Sequence, residues 1–245
     1  MEEHYLEKSR LSEVIEEAAV PLSSLLRRSD TLADIALRLR FCPQKLGFSS
    51  PKTTMMDYER IISMAQERNC FEREGDIVEI GAFLGGGTSE LAKVAEENGK
   101  KVTVIDVFQP GFDDTESLLG ISMSSLYQEM LKQFDGRGQR EVFDEVTSGF
   151  DNIEVIEKDS KKAEVSSEKI CFGFVDGHHS SEYVENDFHL LWNKLVSGGM
   201  IGVDDYGFDL PDVTSTVDDL VDRYEDEIEE FVVDEKSHIA FIRKA

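Results

Sequence analysis

Carboxylates and imidazoles follow two apolar segments in the second half of the chain. The first segment, residues 170–175, is followed directly by Asp-Gly-His-His at 176–179, and the second, residues 200–203, by Asp-Asp-Tyr at 204–206. Both segments have the composition of buried parallel strands, whose carboxyl ends meet at one edge of a sheet. Carboxylate oxygens with room for water suit Mg²⁺ or Mn²⁺ better than a structural zinc site. The spacing therefore predicts one metal site formed by Asp176, Asp204 and Asp205.

A second candidate site is a glycine-rich turn earlier in the chain. The apolar run at 77–80 is rich in β-branched residues, which indicates a buried strand, and four glycines lie within 81–87. Apolar residues then recur at helical spacing up to an Asn-Gly pair, a helix stop signal, and Thr88 or Ser89 is expected to cap this helix. A second strand at 102–107 completes a βαβ unit. Such units bind ligands at the carboxyl ends of their strands.

The spacing of the glycines separates three kinds of ligand-binding turn. A P-loop has a Lys directly before its Ser or Thr, where this chain has Gly87. A dinucleotide-binding turn has glycine at its third position, where this chain has Phe83. What remains is E-x-G-x-x-x-G from Glu79 through Gly81 to Gly85, with an acidic residue, Asp106, closing the next strand. For the glycines alone, a tight turn without a ligand is an equal alternative.

The glycine turn together with Asp106 resembles motif I of class I S-adenosylmethionine (SAM)-dependent methyltransferases. This resemblance implies a Rossmann-like α/β sheet with helices on both faces and SAM bound at the carboxyl ends of the strands. Its cofactor-binding candidates are Glu79, Gly81, Gly85, Thr88, Asp106 and Asp176. In this family the end of the third strand, here residues 153–156, often faces the adenine, which adds Asp159 and Ser160. Capping of the next helix by either residue is an equally good interpretation.

The strand ends carry a more specific resemblance. D-G-H-H followed by a helix and G-G-M-I-G-V-D-D-Y is similar to the macrocin O-methyltransferase branch of metal-dependent methyltransferases and to cephalosporin hydroxylase-like proteins, over roughly residues 75–208. The resemblance implies that Asp176, Asp204 and Asp205 hold Mg²⁺ and that His179 serves as general base. Relatives often have an acidic residue in place of His178, so the base stays open between the two imidazoles. Taken singly, these residues also suit loop caps or a solvated acidic surface.

Composition limits the class of partner. The 245 residues contain 26 Lys and Arg against 51 Asp and Glu, a net charge of −25 that would repel nucleic acid and anionic membranes. The three cysteines form no C-x-x-C pair, so reduced thiols in a cytoplasmic protein are expected. No signal peptide and no membrane-spanning stretch are expected either.

The chain is expected to divide into an N-terminal helical cap or arm at 1–55 and a methyltransferase domain at 56–245. Apolar residues at helical spacing indicate the helices of the first part. A helical arm of this kind could pair with a second copy, so a homo-oligomer stays open. A long Gly-, Asp- and Ser-rich segment after Asp106 suggests a functional loop, commonly a lid. Runs at 230–233 and 238–242 predict a closing strand pair.

These patterns predict a SAM- and Mg²⁺-dependent O-methyltransferase that acts on a hydroxyl of a small molecule, with a sugar or natural-product glycoside implied by the resemblance. Two alternatives stay open. One is a SAM-binding protein without turnover, and the other is a nicotinamide-dependent oxidoreductase on a Rossmann-like fold. The glycine that is absent at the third position argues against the second alternative.

Overall fold

The computed structural model describes residues 53–118, 120 and 122–245. The predicted helical segment at 1–55 therefore lies almost entirely outside the described residues. The strands are β1 (Asp76–Ile80), β2 (Val102–Asp106), β3 (Ile153–Glu157), β4 (Ile170–Val175), β5 (Leu195–Val203), β6 (Ile228–Asp234) and β7 (Ile239–Lys244). The α-helices are α1 (Tyr58–Glu67), α2 (Gly86–Glu97), α3 (Met123–Leu131), α4 (Gln139–Thr147), α5 (Ser181–Trp192) and α6 (Pro211–Arg223).

The strands form one seven-stranded sheet in the order β3-β2-β1-β4-β5-β7-β6. Strands β1 to β5 are parallel, whereas β7 pairs antiparallel with both β5 and β6. The strand order reverses at β1, whose neighbours are β2 and β4. Ligands bind at such a switch point, outside the carboxyl ends of the strands. The Rossmann-like fold and the closing strand pair predicted from the sequence are confirmed.

Apolar side chains cover both faces of the sheet. On one face, α1 and α2 bury Ile61 and Leu91 against Phe172 and Phe174 of β4. On the other face, the apolar side of α5 and α6 packs on β5, with Trp192 among the largest fully buried side chains. Strand β4 is buried at every position, as a continuous apolar run in a parallel sheet should be. The central strands are therefore held from both sides, and their carboxyl ends are placed rigidly.

The predicted start of the helix after the glycine turn is wrong. Helix α2 begins at Gly86, with Gly85 as its N-cap in the left-handed region (φ 82°), so Thr88 and Ser89 lie within its first turn. Thr88 is not a cap because its hydroxyl donates to the buried carboxylate of Glu79. Glycine at position 85 provides the left-handed backbone that caps the helix three residues before Thr88.

The glycine pair before the last parallel strand also differs from the prediction. Gly198 and Gly199 lie inside β5, which begins at Leu195. Leu195 pairs with Ile170 and Met200 with Phe172, so the register shifts between these two pairs. Gly198 has φ 75°, a conformation that suits a glycine at an irregularity in a strand. Helix α4 was not predicted, and none of the described helices is long and apolar enough to cross a membrane.

Candidate functional site

The glycine turn lies against the end of β4. Gly81 has φ 87°, and a Cβ atom at this position would lie 1.9 Å from the carbonyl oxygen of Asp176. A hydrogen bond also joins the two backbones, because the N–H of Asp176 donates to the carbonyl of Ile80 at 2.8 Å. Only glycine satisfies both the backbone conformation and the close approach. The turn and the Asp-Gly-His-His segment therefore form one continuous wall.

Asp106, at the end of β2, holds the other side of the turn. One carboxylate oxygen, Oδ2, accepts the N–H groups of Ala82 at 2.8 Å and Phe83 at 3.1 Å, and Oδ1 accepts the N–H of Phe108 at 2.6 Å. Burial raises the pKa of Asp106, although the three N–H groups oppose that shift by stabilising the carboxylate. Asp106 also lines a cavity, so the same carboxylate shapes the turn and faces the space above it.

Glu79 lies beneath the turn rather than in it. Its side chain is fully buried, one oxygen accepts the Tyr58 hydroxyl at 2.6 Å, and the other accepts the Thr88 hydroxyl. Burial raises the pKa of Glu79 to about 7, against the two hydroxyl hydrogen bonds that lower it. Glu79, Thr88 and Tyr58 thus tie β1 to α2 and α1, and none of these three residues lines the cavities described below.

The first cavity opens above the carboxyl ends of β1 and β2 and holds about 670 Å³, counted out to its mouth. Its walls come from the glycine turn, the ends of β2 and β4, and the segment that follows β2. The residues predicted from sequence that line it are Gly81, Asp106, Ser160 and Asp176. Gly85 is the N-cap of α2 outside this wall, and Asp159 accepts the N–H of Lys161 and caps a short 3-10 helix. Ser160 is thus the cavity residue of the Asp159–Ser160 pair.

A second cavity of about 690 Å³ adjoins the first. Its polar side contains Asp204 and Asp205, and its apolar side contains Met56, Met123 and Phe208. Three residues line both cavities, namely Met55, Tyr127 and Asp176. Because the two spaces share these walls, molecules bound in each would meet beside Asp176.

The predicted acidic cluster forms at this junction. Ligand atoms of Asp176, His179 and Asp205 lie within 4.8 Å of one another. Nε2 of His179 lies 3.0 Å from Oδ2 of Asp205 and 3.9 Å from Oδ1 of Asp176. Asp204 is outside this group of three but is buried next to it and lines the second cavity. The structure therefore brings both strand ends together as the sequence predicts, and adds an imidazole nitrogen.

The cluster carries more negative charge than its neighbours balance. Within the described part of the chain, His179 is the one ion-pair partner of Asp176 and Asp205. Burial, followed by the neighbouring carboxylates, raises the pKa of Asp204 well above its usual value; for Asp176 burial and the Asp205 charge act in the same direction. Among the residues that the structure describes, Nε2 of the buried His179 has no hydrogen-bond partner, although it lies close to Asp205. Several hard carboxylate oxygens beside a cavity, with unbalanced negative charge, fit a divalent cation such as Mg²⁺ or Mn²⁺.

The other nitrogen of His179 contacts a residue that the sequence did not single out. Nδ1 lies 2.5 Å from Oδ2 of Asp113, in the segment after β2, and both side chains are buried. Burial alone would lower the pKa of His179, but the hydrogen bond to Asp113 and the negative charges of Asp113 and Asp205 raise it well above its usual value. The only sequence signal for Asp113 was its place in a long polar segment expected to be functional.

His178 occupies a different environment from His179. Its ring stacks on Tyr183 at 4.3 Å with 12° between the planes, and it lines the first cavity. Nδ1 of His178 accepts the N–H of Ser180 at 3.2 Å. The two imidazoles predicted as alternatives for one role are therefore separated: His178 faces the first cavity and His179 lies in the carboxylate cluster.

The sequence of residues 78–206, more than half of the chain, matches a family model described as "Methyltransferase domain". The chain belongs to this methyltransferase family. The solved structure of the O-methyltransferase NovP has a similar fold, with a TM-score of 0.58 and 17% identity over 79% of this chain and 82% of that one. Calicheamicin methyltransferase CalS11 is similar with a TM-score of 0.52 and 14% identity, over 93% and 91% of the two chains. No curated protein sequence matches this chain.

The family match confirms the class I SAM-dependent methyltransferase that the motif resemblance implies. The matched segment runs from β1, through the turn, to the carboxylates after β5. It therefore includes the walls of the first cavity and the acidic cluster of the methyltransferase. The chain is a SAM-dependent enzyme.

Proposed function

We propose that this methyltransferase transfers the methyl group of SAM to a hydroxyl of a small molecule, with a divalent cation held by its carboxylate cluster. SAM would occupy the first cavity, and the acceptor would occupy the second. The observation that carries this proposal is the position of Asp176, which lines both cavities and belongs to the cluster. The acceptor hydroxyl and the methyl group would therefore meet beside the metal ligands.

The SAM assignments follow from the walls of the first cavity. Gly81 allows the backbone to approach the ligand, and Asp106 presents a carboxylate at the end of β2 for the ribose hydroxyls. Ser160 lies in the wall expected to face the adenine. Glu79, Gly85 and Thr88 support the turn from below, and Asp159 orders the short helix that carries Ser160.

Asp176, Asp204 and Asp205 would hold the cation. Nε2 of His179 lies beside these carboxylates and would remain free to accept a proton. A bound Mg²⁺ or Mn²⁺ lowers the pKa of a hydroxyl attached to it and orients that hydroxyl. The three carboxylates come from the ends of two adjacent strands that are packed on both faces. They are thus placed rigidly, which metal-dependent positioning requires.

His179 is the proposed base. In the transfer, the acceptor oxygen forms a bond to the methyl carbon while the carbon–sulfur bond of SAM breaks, and the hydroxyl proton passes to Nε2. The products are a methyl ether, S-adenosylhomocysteine and a protonated imidazole. His179 is favoured over His178 because it lies 3.0 Å from a cluster carboxylate, whereas His178 stacks on Tyr183. This step requires a neutral imidazole. A divalent cation bound to the carboxylates would favour that form, because its charge opposes the negative charges that raise the pKa of His179.

The second cavity bears on the acceptor. Its methionines and Phe208 offer an apolar wall, opposite the carboxylates that would face the reacting hydroxyl. A glycoside combines a hydroxylated sugar with an apolar aglycone and fits such a two-sided wall. A sugar or natural-product glycoside, as the motif resemblance implies, is therefore the proposed acceptor class, and the chain's net charge of −25 opposes a nucleic acid.

Calorimetric titration of the full chain with SAM, with and without Mg²⁺, followed by Mg²⁺ alone, tests the binding part of this proposal. We expect SAM to bind in both conditions and Mg²⁺ to bind with an affinity that a chelator competes away. Radiolabelled SAM would then be offered with a panel of glycosides, sugar nucleotides and catechols. SAM binding without metal binding would reduce the carboxylates to a structural role, and transfer to a nitrogen acceptor alone would contradict the hydroxyl assignment.

A further inference from the structure

We infer that Asp113 is a positioning residue for His179: its carboxylate fixes the tautomer and the orientation of the imidazole that faces the carboxylate cluster. This inference rests on the proposed role of His179 as base. Nothing in the sequence motifs assigns a role to Asp113, which lies 66 positions before His179 in the chain. We refer to residues 107–118, which carry Asp113, as the strap.

The contact between the two side chains is direct and shielded from water. Oδ2 of Asp113 lies 2.5 Å from Nδ1 of His179, and the two residues are each 5% exposed. Burial alone would raise the pKa of Asp113, but hydrogen bonds from His179 and Thr115 hold it below its usual value, so this carboxylate accepts and Nδ1 carries the hydrogen. The hydrogen bond to a charged acceptor is also stronger than one between neutral groups. Asp113 therefore fixes which nitrogen of His179 is protonated.

The consequence lies at the opposite nitrogen. With a hydrogen on Nδ1, the neutral imidazole has its lone pair on Nε2. That atom points into the cluster, 3.0 Å from Asp205 and 3.9 Å from Asp176, and it has no hydrogen-bond partner in the described part of the chain. An imidazole free to adopt the other tautomer would place a hydrogen there and could not accept a proton from a hydroxyl. Asp113 thus prepares Nε2 for the proposed step.

The strap holds Asp113 firmly in place. Thr115 donates both its N–H, at 3.0 Å, and its hydroxyl, at 2.7 Å, to Oδ1 of Asp113. Phe112 packs edge-on against the rings of His178 and Tyr183 at 5.7 and 5.6 Å. Hydrogen bonds on Oδ1 leave Oδ2 directed at His179. The carboxylate is therefore oriented by its own neighbours, which a positioning residue needs.

The strap also borders both cavities. Phe112 and Asp113 line the first cavity, and Ser117 lines the second. The N–H of Leu118 donates to the carbonyl of Asp209, in the segment that follows β5. The same strap thus encloses the proposed SAM site and carries the partner of the proposed base.

The neighbouring residue provides a matched control. Asp114 belongs to the same strap and carries the same charge, but its side chain is 91% exposed and its Oδ1 lies 3.5 Å from Nε2 of His178. Replacement of either aspartate by asparagine removes one negative charge and preserves shape. A difference between Asp113→Asn and Asp114→Asn therefore reports the contact with His179 and not the net charge of the strap.

Proton NMR of the full chain labelled with ¹⁵N-histidine tests the contact without any acceptor, since the chain has five histidines and His179→Gln identifies the signal. We expect a downfield Nδ1 proton of His179 in the wild type and in Asp114→Asn, and its loss in Asp113→Asn. The amide of asparagine can donate to Nδ1 and would shift the hydrogen to Nε2. An unchanged His179 signal in Asp113→Asn would overturn the inference.

Turnover, measured with the acceptor that gives the highest rate in the panel above, tests the consequence. Asp113→Asn is expected to lower kcat by about 10²- to 10⁴-fold, as removal of a carboxylate that orients a histidine does elsewhere. The KM for the acceptor should stay within about threefold, since Asp113 does not line the second cavity. Because Asp113 does line the first cavity, kcat is compared at saturating SAM. A wild-type kcat in Asp113→Asn, with His179→Gln inactive, would overturn the positioning role alone.

Two further variants keep the outcomes distinct. Full activity of His179→Gln would reject the proposed base, whereas the NMR result would still decide whether Asp113 holds the ring. If Asp113→Asn does not fold, Thr115→Val removes one hydrogen bond to Asp113 while leaving both site residues in place. A kcat decrease in Thr115→Val without a change in KM or in SAM affinity would support the inference, and an unchanged kcat would contradict it.

Discussion

The carboxylate of Asp106 accepts the backbone N–H of Ala82 at 2.8 Å, so the end of β2 is bonded directly to the glycine turn that follows β1. The same oxygen accepts the N–H of Phe83, and the second oxygen accepts that of Phe108. A residue expected to bind a ribose therefore also shapes the turn that surrounds the ligand. Loss of this carboxylate should affect both the turn and the binding of SAM.

Asp106→Asn is predicted to weaken SAM binding by about 10- to 100-fold and to lower the free energy of unfolding by about 1–3 kcal/mol. An asparagine presents one acceptor oxygen and one donor group to N–H groups that all donate, so at least one backbone N–H loses its partner. Calorimetry with SAM and urea unfolding would measure the two effects. Asp151→Asn, an exposed position outside the cavities, is the control; equal SAM affinity in both variants would contradict the prediction.

Gly81→Ala is predicted to destabilise the protein by more than the cost of placing alanine in a left-handed backbone conformation, because the new side chain also clashes with the end of β4. The new Cβ would lie 1.9 Å from the Asp176 carbonyl oxygen, so the end of β4 must move. Gly99→Ala is the matched control, because its φ of 66° is also left-handed but no atom of the described residues lies within 4 Å of the added Cβ. We expect about 1 kcal/mol of destabilisation for Gly99→Ala and a further 1–3 kcal/mol for Gly81→Ala, with loss of SAM binding only in the latter. Similar melting temperatures would argue against the close approach.

Glu79→Gln is predicted to stabilise the methyltransferase increasingly as the pH rises. Burial raises the pKa of Glu79 to about 7, from 4.5 for an exposed glutamate. Above pH 4.5 the unfolded chain loses this proton while the folded protein keeps it until about pH 7, so the wild type loses stability across that range. Glutamine remains neutral, and its amide can still bond to the hydroxyls of Tyr58 and Thr88.

The measurement is urea unfolding of both proteins at pH 5 and pH 8. The difference in free energy of unfolding between variant and wild type should grow by roughly 2–3 kcal/mol between these values. Glu97→Gln, exposed at the end of α2, should show no such growth. SAM affinity should change little in Glu79→Gln, since the residue supports the turn from beneath. A large loss of affinity would instead favour the direct cofactor contact expected from the sequence.

The parts of the fold that the sequence predicted correctly are those with local signals. The β-branched run before the glycines, the Asn-Gly stop after α2 and the apolar run of β4 depend on neighbouring residues, and each appears at its expected place. Helix α4 was missed because it contains only three apolar residues, Val142, Phe143 and Val146, too few to show a helical period. The glycines at 198 and 199 were placed before β5 because a turn and a strand irregularity have the same local composition.

In the site, too, the sequence predicted only residues whose positions follow from a recognisable pattern. Asp176 and Asp205 were predicted to meet because both directly follow parallel strands, and sheet topology then determines their proximity. Asp113 lies seven residues beyond the end of β2, so its contact with His179 depends on the path of an irregular segment. Tyr127, which lines both cavities from α3, likewise has no spacing that marks it. Residues placed by irregular segments need the structure to be found.

Asp204→Asn and Asp205→Asn are predicted to raise the Mg²⁺ concentration needed for half-maximal methyl transfer by about 10- to 100-fold, because each removes one negative oxygen ligand from the proposed site. The two should differ in their effect on His179, since Asp205 lies 3.0 Å from Nε2 and Asp204 is outside the group of three. Asp205→Asn should therefore also alter the histidine NMR signal of the metal-free protein, whereas Asp204→Asn should alter it less. Asp219→Asn, exposed on α6, controls for net charge. An Mg²⁺ requirement equal to that of the control in both variants would show that these carboxylates do not hold the metal.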